Sequence, residues 1–181
     1  MKGLIILVNG FEDVEALCTI DILRRSNIEI DTVSLDNKNI ITQSNNKIEA
    51  QYLLDDIQTN NYDFLVLPGG KAVFNVLDKD LRIDKLIDEF YQSERLICAI
   101  CAAPRLIAKR GYFKNLKFTI FPGCLDGEVL GKQVNKGVVV EDRFITAKSM
   151  YYTTEFALEI INKLQGKQQK QLIEKQIKGV K

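Results

Sequence analysis

The residues best equipped for chemistry are Cys98 and Cys101, two thiols in C-x-x-C spacing within "CAICAAP" at 98–104. Such a pair is a redox dithiol, half of a metal site, or one reactive thiol beside a bystander. The apolar run "RLICAI" leading into it reads as a strand covered on both faces. If that strand extends through Ile100, the step from Cys98 to Cys101 spans roughly 10 Å. A disulfide needs α-carbons within about 7 Å. Pro104 separates the two registers. A helix capped at Cys98 would put the proline ring in the second turn, against a carbonyl. A cap at Cys101 puts it in the first turn, where the missing N–H costs nothing. The second register leaves Cys98 in the strand and Cys101 on a strand-to-helix turn resembling a nucleophile elbow. There the helix start favours thiolate and lowers the thiol pKa. From this segment alone, Cys101 reads equally well as a small buried hydrophobe.

Two further segments, "NGFEDVE" and "LPGG", also follow apolar runs directly. Glu15 is the candidate acid, in the first turn of a helix over "VEALCTIDILRRS". Val14, Leu17, Ile20 and Leu23 mark the core side of that helix, and Glu15 is set off from them. A solvated helix-start glutamate is the commoner role. If Glu15 instead points across the strand ends, burial raises its pKa and it can give a proton or hydrogen bond to Cys101. Glu12 and Asp13 read as charge partners of the helix N-terminus. Gly69 and Gly70 make either an ordinary strand-to-loop turn or a close backbone approach to a site. In the latter case the N–H groups of Gly70 and Ala102 cradle negative charge. "LPGG" lacks the lysine and spacing of a phosphate-binding loop. Cys18 reads as core on the first helix, and Cys124 as a loop residue.

The chain contains no histidine. That excludes Ser-His-Asp and Cys-His nucleophile pairs and every histidine-containing zinc site. An all-cysteine zinc site would need all four cysteines, yet a single pair has finger-like spacing, so no metal is expected.

The elements that must position these residues follow from pattern. The 181 residues suit one domain over 1–166 with a polar, basic tail at 167–181, read as a marginal helix or a frayed end. A net charge of +1 gives no reason to expect nucleic acid or a membrane surface as partner. "KGLIILV" is too short for a signal-peptide core or a membrane span, so a cytoplasmic location with reduced thiols is expected. Strands are expected at 3–8, 28–35, 62–67 and 95–100, with helices at 81–94 and over "APRLIAKRG". "KFTIF" and "GVVVEDRFITA" add late strands, the latter a hairpin turning at Glu141–Asp142. A helix at 153–166 has threonine caps and a glycine stop. Alternating strands and helices give a mainly parallel sheet covered on both faces, with sites at the carboxyl ends of the strands.

"NGFEDVEALCTIDILRRSNI", "YDFLVLPGG", "AICAAP" and "EFALEIINKLQGK" together resemble the ThiJ/PfpI family, in its order and spacing, over about residues 1–167. They are also similar to the bacterial YajL-like branch of that family. The resemblance implies a flavodoxin-like α/β three-layer sandwich, a homodimer, and no cofactor. It implies that Cys101 is an oxidation-sensitive elbow cysteine, that Glu15 hydrogen-bonds it, and that Gly70 and Ala102 are backbone donors, with Gly69 and Phe121 in the pocket. Family activities are glyoxalase and deglycase reactions on small reactive aldehydes or glycated adducts, with oxidative-stress and chaperone roles. Protease-like members place a histidine directly after the cysteine; Ala102 stands there in this chain. Many deglycase-like members carry a histidine at the position of Phe121, which leaves proton transfer to Glu15 or water. The "GPGT"-like turn before the last family helix appears as Ser149-Met150-Tyr151-Tyr152, at the pocket rim or the dimer contact.

Overall fold

The computed structural model describes residues 1–180. Its elements in chain order are β1 (Lys2–Ile6), α1 (Asp13–Arg25), β2 (Glu29–Ser34), β3 (Asn39–Ile41), β4 (Lys47–Glu49), β5 (Tyr52–Leu53), β6 (Phe64–Leu67), α2 (Ala72–Asn75), α3 (Leu81–Gln92), β7 (Leu96–Ile100), α4 (Pro104–Ala108), β8 (Lys117–Phe118), β9 (Lys132–Gln133), β10 (Val138–Glu141), β11 (Phe144–Ala147), α5 (Thr153–Gln165) and α6 (Lys167–Lys178). Seven strands form one sheet in the order β10-β11-β7-β6-β1-β2-β5. All its pairs are parallel except β10–β11. The strand β6 and all of β7 are buried along their length, which requires helices on both faces. Connection from β1 to β2 runs one way across the sheet and from β6 to β7 the other. Right-handed crossovers therefore put α1 and α3 on opposite faces, giving the flavodoxin-like three-layer arrangement. The sheet reverses direction between β1 and β6, and the crevice beyond their carboxyl ends is where such folds place a site.

Several sequence expectations need correction. Ile20 and Leu23 of α1 are buried as expected, but Val14 and Leu17 are exposed. The buried face runs through Glu15, Ala16, Thr19, Ile20, Ile22 and Leu23. The helix start is fixed by the Glu12 carboxylate, which accepts the Glu15 N–H at 2.8 Å; that registration turns the 15–19–22 edge onto the sheet. "KFTIF" contributes only β8, paired with β9 outside the main sheet. Beyond Phe118 the ladder is replaced by a side-chain bond, the Thr119 N–H donating to Thr146 Oγ1 at 3.0 Å. In the late hairpin Glu141 pairs with Phe144, so the turn is Asp142–Arg143, one residue further on, with Asp142 at φ +50. Thr153 does not cap α5 with its side chain; its hydroxyl donates back to the Met150 carbonyl at 2.8 Å.

Gly166, at φ +88, ends α5 and starts α6. The polar tail is thus a helix rather than a frayed end. It packs back through Ile173, which is 1% exposed and part of the core. Lys181 lies outside the described residues. No helix among those described is long and apolar enough to cross a membrane.

Candidate active site

Three neighbouring strands deliver the three segments. The loop after β1 carries Glu12 into α1, the loop after β6 carries Gly69 and Gly70, and Cys101 follows β7 directly. The first two are stitched together: the Glu12 N–H donates to the Gly69 carbonyl at 3.2 Å, the Ala72 N–H to the Gly10 carbonyl at 3.1 Å, and Phe11 bridges Gly70. Gly70 needs its lack of a side chain, since at φ +90 a Cβ would sit 2.6 Å from the Gly10 oxygen.

Cys101 has φ +62, a left-handed conformation unusual for a side-chain-bearing residue. Its N–H still continues the ladder to β11, donating to the Ala147 carbonyl at 2.9 Å, while its carbonyl accepts from Phe121 N–H at 2.9 Å. The sharp turn lifts the thiol off the strand end, as the elbow reading anticipates. The helix does not begin at Cys101. Its N-cap is Ala103 and Pro104 is its first residue, because the left-handed turn must be completed before helical geometry resumes. Cys98, fully buried in β7, is separated from Cys101 by this geometry, and all four cysteines are free thiols.

Glu15 is not a solvated helix-start residue. It is 1% exposed. Its Oε2 accepts the Gly69 N–H at 2.8 Å, and its carboxyl group lies beside Cys101. Burial pushes its pKa up to about 7, against the pull of the Gly69 N–H and the Cys101 thiol. The Cys101 thiol is pushed up as well, first by burial and then by the Glu15 carboxylate, with the Ala102 N–H acting the other way. This corrects the expectation that the helix end lowers the thiol pKa: α4 is one short turn that starts three residues later. The two groups compete to carry one negative charge, so thiolate forms when the proton sits on Glu15. Gly69 belongs to the same unit, since a Cβ on it would lie 2.7 Å from both Cys101 Cβ and Glu15 Oε2.

A cavity of about 340 Å³ opens over this pair, lined by Glu12, Glu15, Gly70, Cys101, Ala102 and Phe121 among others. That size suits a small organic molecule. The structure thus brings every sequence-nominated site residue to one place, Gly69 just behind the lining. It adds residues that pattern did not reveal. Gln43, from the β3–β4 turn, enters the lining and accepts the Lys71 N–H at 2.9 Å; it comes from an Asn/Gln-rich stretch with no periodicity to place it. Ser149 and Met150 line the rim, where the altered turn before α5 pointed. Cys124 also faces the cavity. Arg105, one turn beyond the elbow, is 4% exposed and binds Asp78, Asp126 and the Cys124 carbonyl. Its place directly after Pro104 was the one available signal.

A model of the DJ-1/PfpI family matches residues 1–163 of the chain. Protein dj-1beta of Drosophila melanogaster is 30% identical over 177 residues, covering 96% of this chain and 95% of that one. The crystal structure of Drosophila melanogaster DJ-1beta superposes with a TM-score of 0.89 at 29% identity, covering 97% and 96% of the two chains. A Caenorhabditis elegans protein named glutathione-independent glyoxalase DJR-1.2 is 26% identical over 158 residues, 86% of this chain and 83% of its own. Protein DJ-1 homolog B of Arabidopsis thaliana is 29% identical over 167 residues, 91% of this chain but 38% of its own length.

Proposed function

The chain belongs to the DJ-1/PfpI family, and from that premise we propose that it is a cysteine-dependent, cofactor-free enzyme of glyoxalase or deglycase type, acting on small reactive aldehydes or their adducts. The observation that carries this reading is buried Glu15 set beside Cys101 in one cavity, the two meeting at the Gly69 position. The name of the Caenorhabditis elegans relative supports the same class of reaction. With the proton on Glu15, the Cys101 thiolate adds to the aldehyde carbon, and the former carbonyl oxygen takes that proton. Gly70 and Ala102 N–H groups steady the oxygen while it is charged. For a 2-oxoaldehyde, the Glu15 carboxylate then moves the proton from the aldehyde carbon to its neighbour, isomerising the hemithioacetal to a thioester. Water hydrolyses the thioester to a 2-hydroxy acid and restores the thiol. Overall the reaction adds one water and needs no external oxidant. Free thiols at all four cysteines accord with a reducing, cytoplasmic setting.

The test is lactate formation from methylglyoxal by wild type, Cys101→Ser and Glu15→Gln. Turnover in the wild type alone supports the reading; equal rates in all three sink it. A homodimer is part of the same reading, with Val14 and Leu17 leaving apolar surface on α1; the mass measured by sedimentation decides it.

One observation favours a second reading, a redox-responsive or chaperone-like protein without turnover. In a chain with no histidine, one carboxyl group must serve every proton transfer, whereas holding an oxidised Cys101 as sulfinate asks only for a protonated Glu15 and backbone donors. Peroxide-dependent sulfinate at Cys101 with no lactate formed would select it.

A further inference from the structure

Cys101 shares its cavity with a second thiol that the aldehyde chemistry leaves unused. Cys124 lines the same pocket, whereas Cys98 is sealed in β7 and Cys18 faces a separate cavity against α6. The loop carrying Cys124 is tied to the elbow at the start of a short turn, which a second bond closes. Phe121 N–H donates to the Cys101 carbonyl at 2.9 Å, and Cys124 N–H donates to the Phe121 carbonyl at 3.2 Å. Gly123, at φ +78 with open space around it, makes that turn possible. From the other side the buried Arg105 guanidinium donates to the Cys124 carbonyl at 2.9 Å and to Asp126 Oδ2 at 3.0 Å. Asp78 Oδ2 holds the guanidinium in turn, at 2.9 Å. A nearly fully buried arginine on the elbow helix therefore fixes the backbone of Cys124 over the site; burial pushes the Cys124 thiol pKa up, with the Arg105 charge acting the other way.

The geometry points to Cys124 as a resolving thiol, which captures Cys101 after its first oxidation by a hydroperoxide and closes a reversible Cys101–Cys124 disulfide. This rests on the reading of Cys101 as the reactive thiol. The Cys101 sulfur attacks one peroxide oxygen and the O–O bond breaks, leaving an alcohol (water, for hydrogen peroxide) and a sulfenic acid. The Cys124 sulfur then attacks the Cys101 sulfur. An S–S bond forms, the S–O bond breaks, and the oxygen leaves as water, keeping the sulfenic hydrogen and gaining the Cys124 proton by way of Glu15. Two thiols lose two electrons and two protons, and the hydroperoxide gains both. An external dithiol restores the reduced pair by exchange. Closing the bond requires a Cβ separation of roughly 4 Å, and both thiols line the same cavity of about 340 Å³.

The experiment treats wild type and Cys124→Ser with two equivalents of hydrogen peroxide, enough for both oxidation steps from thiol to sulfinate, blocks free thiols, and maps peptides by mass spectrometry without reductant. A Cys101–Cys124 linked peptide is expected in the wild type, with both thiols recovered by dithiothreitol. In Cys124→Ser the link is lost and Cys101 accumulates as sulfinate that dithiothreitol does not reverse. Sulfinate at Cys101 in equal yield in both proteins, or a link from Cys101 to Cys18 or Cys98, overturns the role of Cys124 while leaving Cys101 the reactive thiol. Cys101 unoxidised in both proteins overturns the reading of Cys101 as well.

Discussion

The Gly69 N–H donates to Glu15 Oε2 at 2.8 Å, across the point where the sheet changes direction. This bond joins the start of α1 to the end of β6 and aims the other side of the carboxyl group at Cys101. It also explains how a residue one turn into an amphipathic helix comes to be buried.

Burial at that position has a measurable consequence for stability. The Glu15 pKa moves from 4.5 to about 7, so between those values the folded protein holds a proton that the unfolded chain has released. The contribution of this group to stability is fully present below pH 4.5 and is lost as pH rises through 7. The full difference is about 3 kcal/mol. Glu15→Gln cannot titrate but keeps an oxygen for the Gly69 N–H. Relative to wild type, its unfolding free energy is expected to improve by up to about 3 kcal/mol between about pH 4.5 and about pH 8. Urea denaturation at the two pH values checks this; a constant difference would mean that Glu15 titrates like a solvated carboxyl.

The same carboxyl should set the pH dependence of turnover. It acts first as acid and then as base, so kcat/KM in the wild type is expected to show an apparent pKa near 7. Glu15→Gln is expected to lose that inflection together with at least about 100-fold in rate. A profile over the neutral range, unchanged in the variant, would remove Glu15 from proton transfer.

The two glycines after Pro68 should fail in different ways. A Cβ on Gly69 meets Cys101 Cβ and Glu15 Oε2 at 2.7 Å, so Gly69→Ala pushes the reacting pair apart. A displacement of this kind costs on the order of 100-fold in turnover. A Cβ on Gly70 meets backbone atoms, Gly10 O at 2.6 Å and Glu12 N at 2.7 Å, at φ +90. Gly70→Ala is therefore expected to lose about 1–3 kcal/mol of stability or more. Denaturation and methylglyoxal turnover measured on both variants separate the two; identical profiles would refute the distinction.

What the sequence made legible is the part governed by local rules. Continuous apolar runs mark the central strands, and the place of Pro104 separates Cys98 from Cys101. What it hid was set by tertiary contact. Leu17 looked like core, yet the rotation of α1 is decided by Glu12 and by the Gly69–Glu15 bond, neither of which enters a hydrophobic period. The thiol pKa was misjudged because burial and the neighbouring carboxylate outweigh a helix start that lies too far along the chain. Gln43 reaches the site from a polar segment whose role appears only when loops distant in sequence meet.

Arg105 should matter far more to stability than its exposed partner. Its side chain is 5% exposed and that of Asp126 is 77% exposed. Removing the buried member leaves the Cys124 carbonyl without its donor and Asp78 held by Lys109 alone, so Arg105→Gln is expected to cost about 2 kcal/mol or more. Asp126→Asn, at the solvated end, is expected to cost under about 1 kcal/mol. Comparable losses in urea denaturation would mean that the pair, not the burial of Arg105, holds the loop.

The last helix offers a direct test of whether the tail is structural. Ile173 is 1% exposed within the core, while its neighbour Leu172 is 50% exposed. The charges flanking it favour the helix but weakly: Lys178 pairs Glu174 at 2.6 Å, one turn apart on the surface. Lys170 also pairs with Glu159 of α5, and apolar burial of Ile173 is the other attachment of α6. Ile173→Ala removes a buried side chain and is expected to cost about 2–4 kcal/mol, whereas Leu172→Ala should stay within about 0.5 kcal/mol. If α6 instead frayed in solution, both variants would match wild type in denaturant midpoint, and limited proteolysis would release the segment after Gly166 from all three proteins alike.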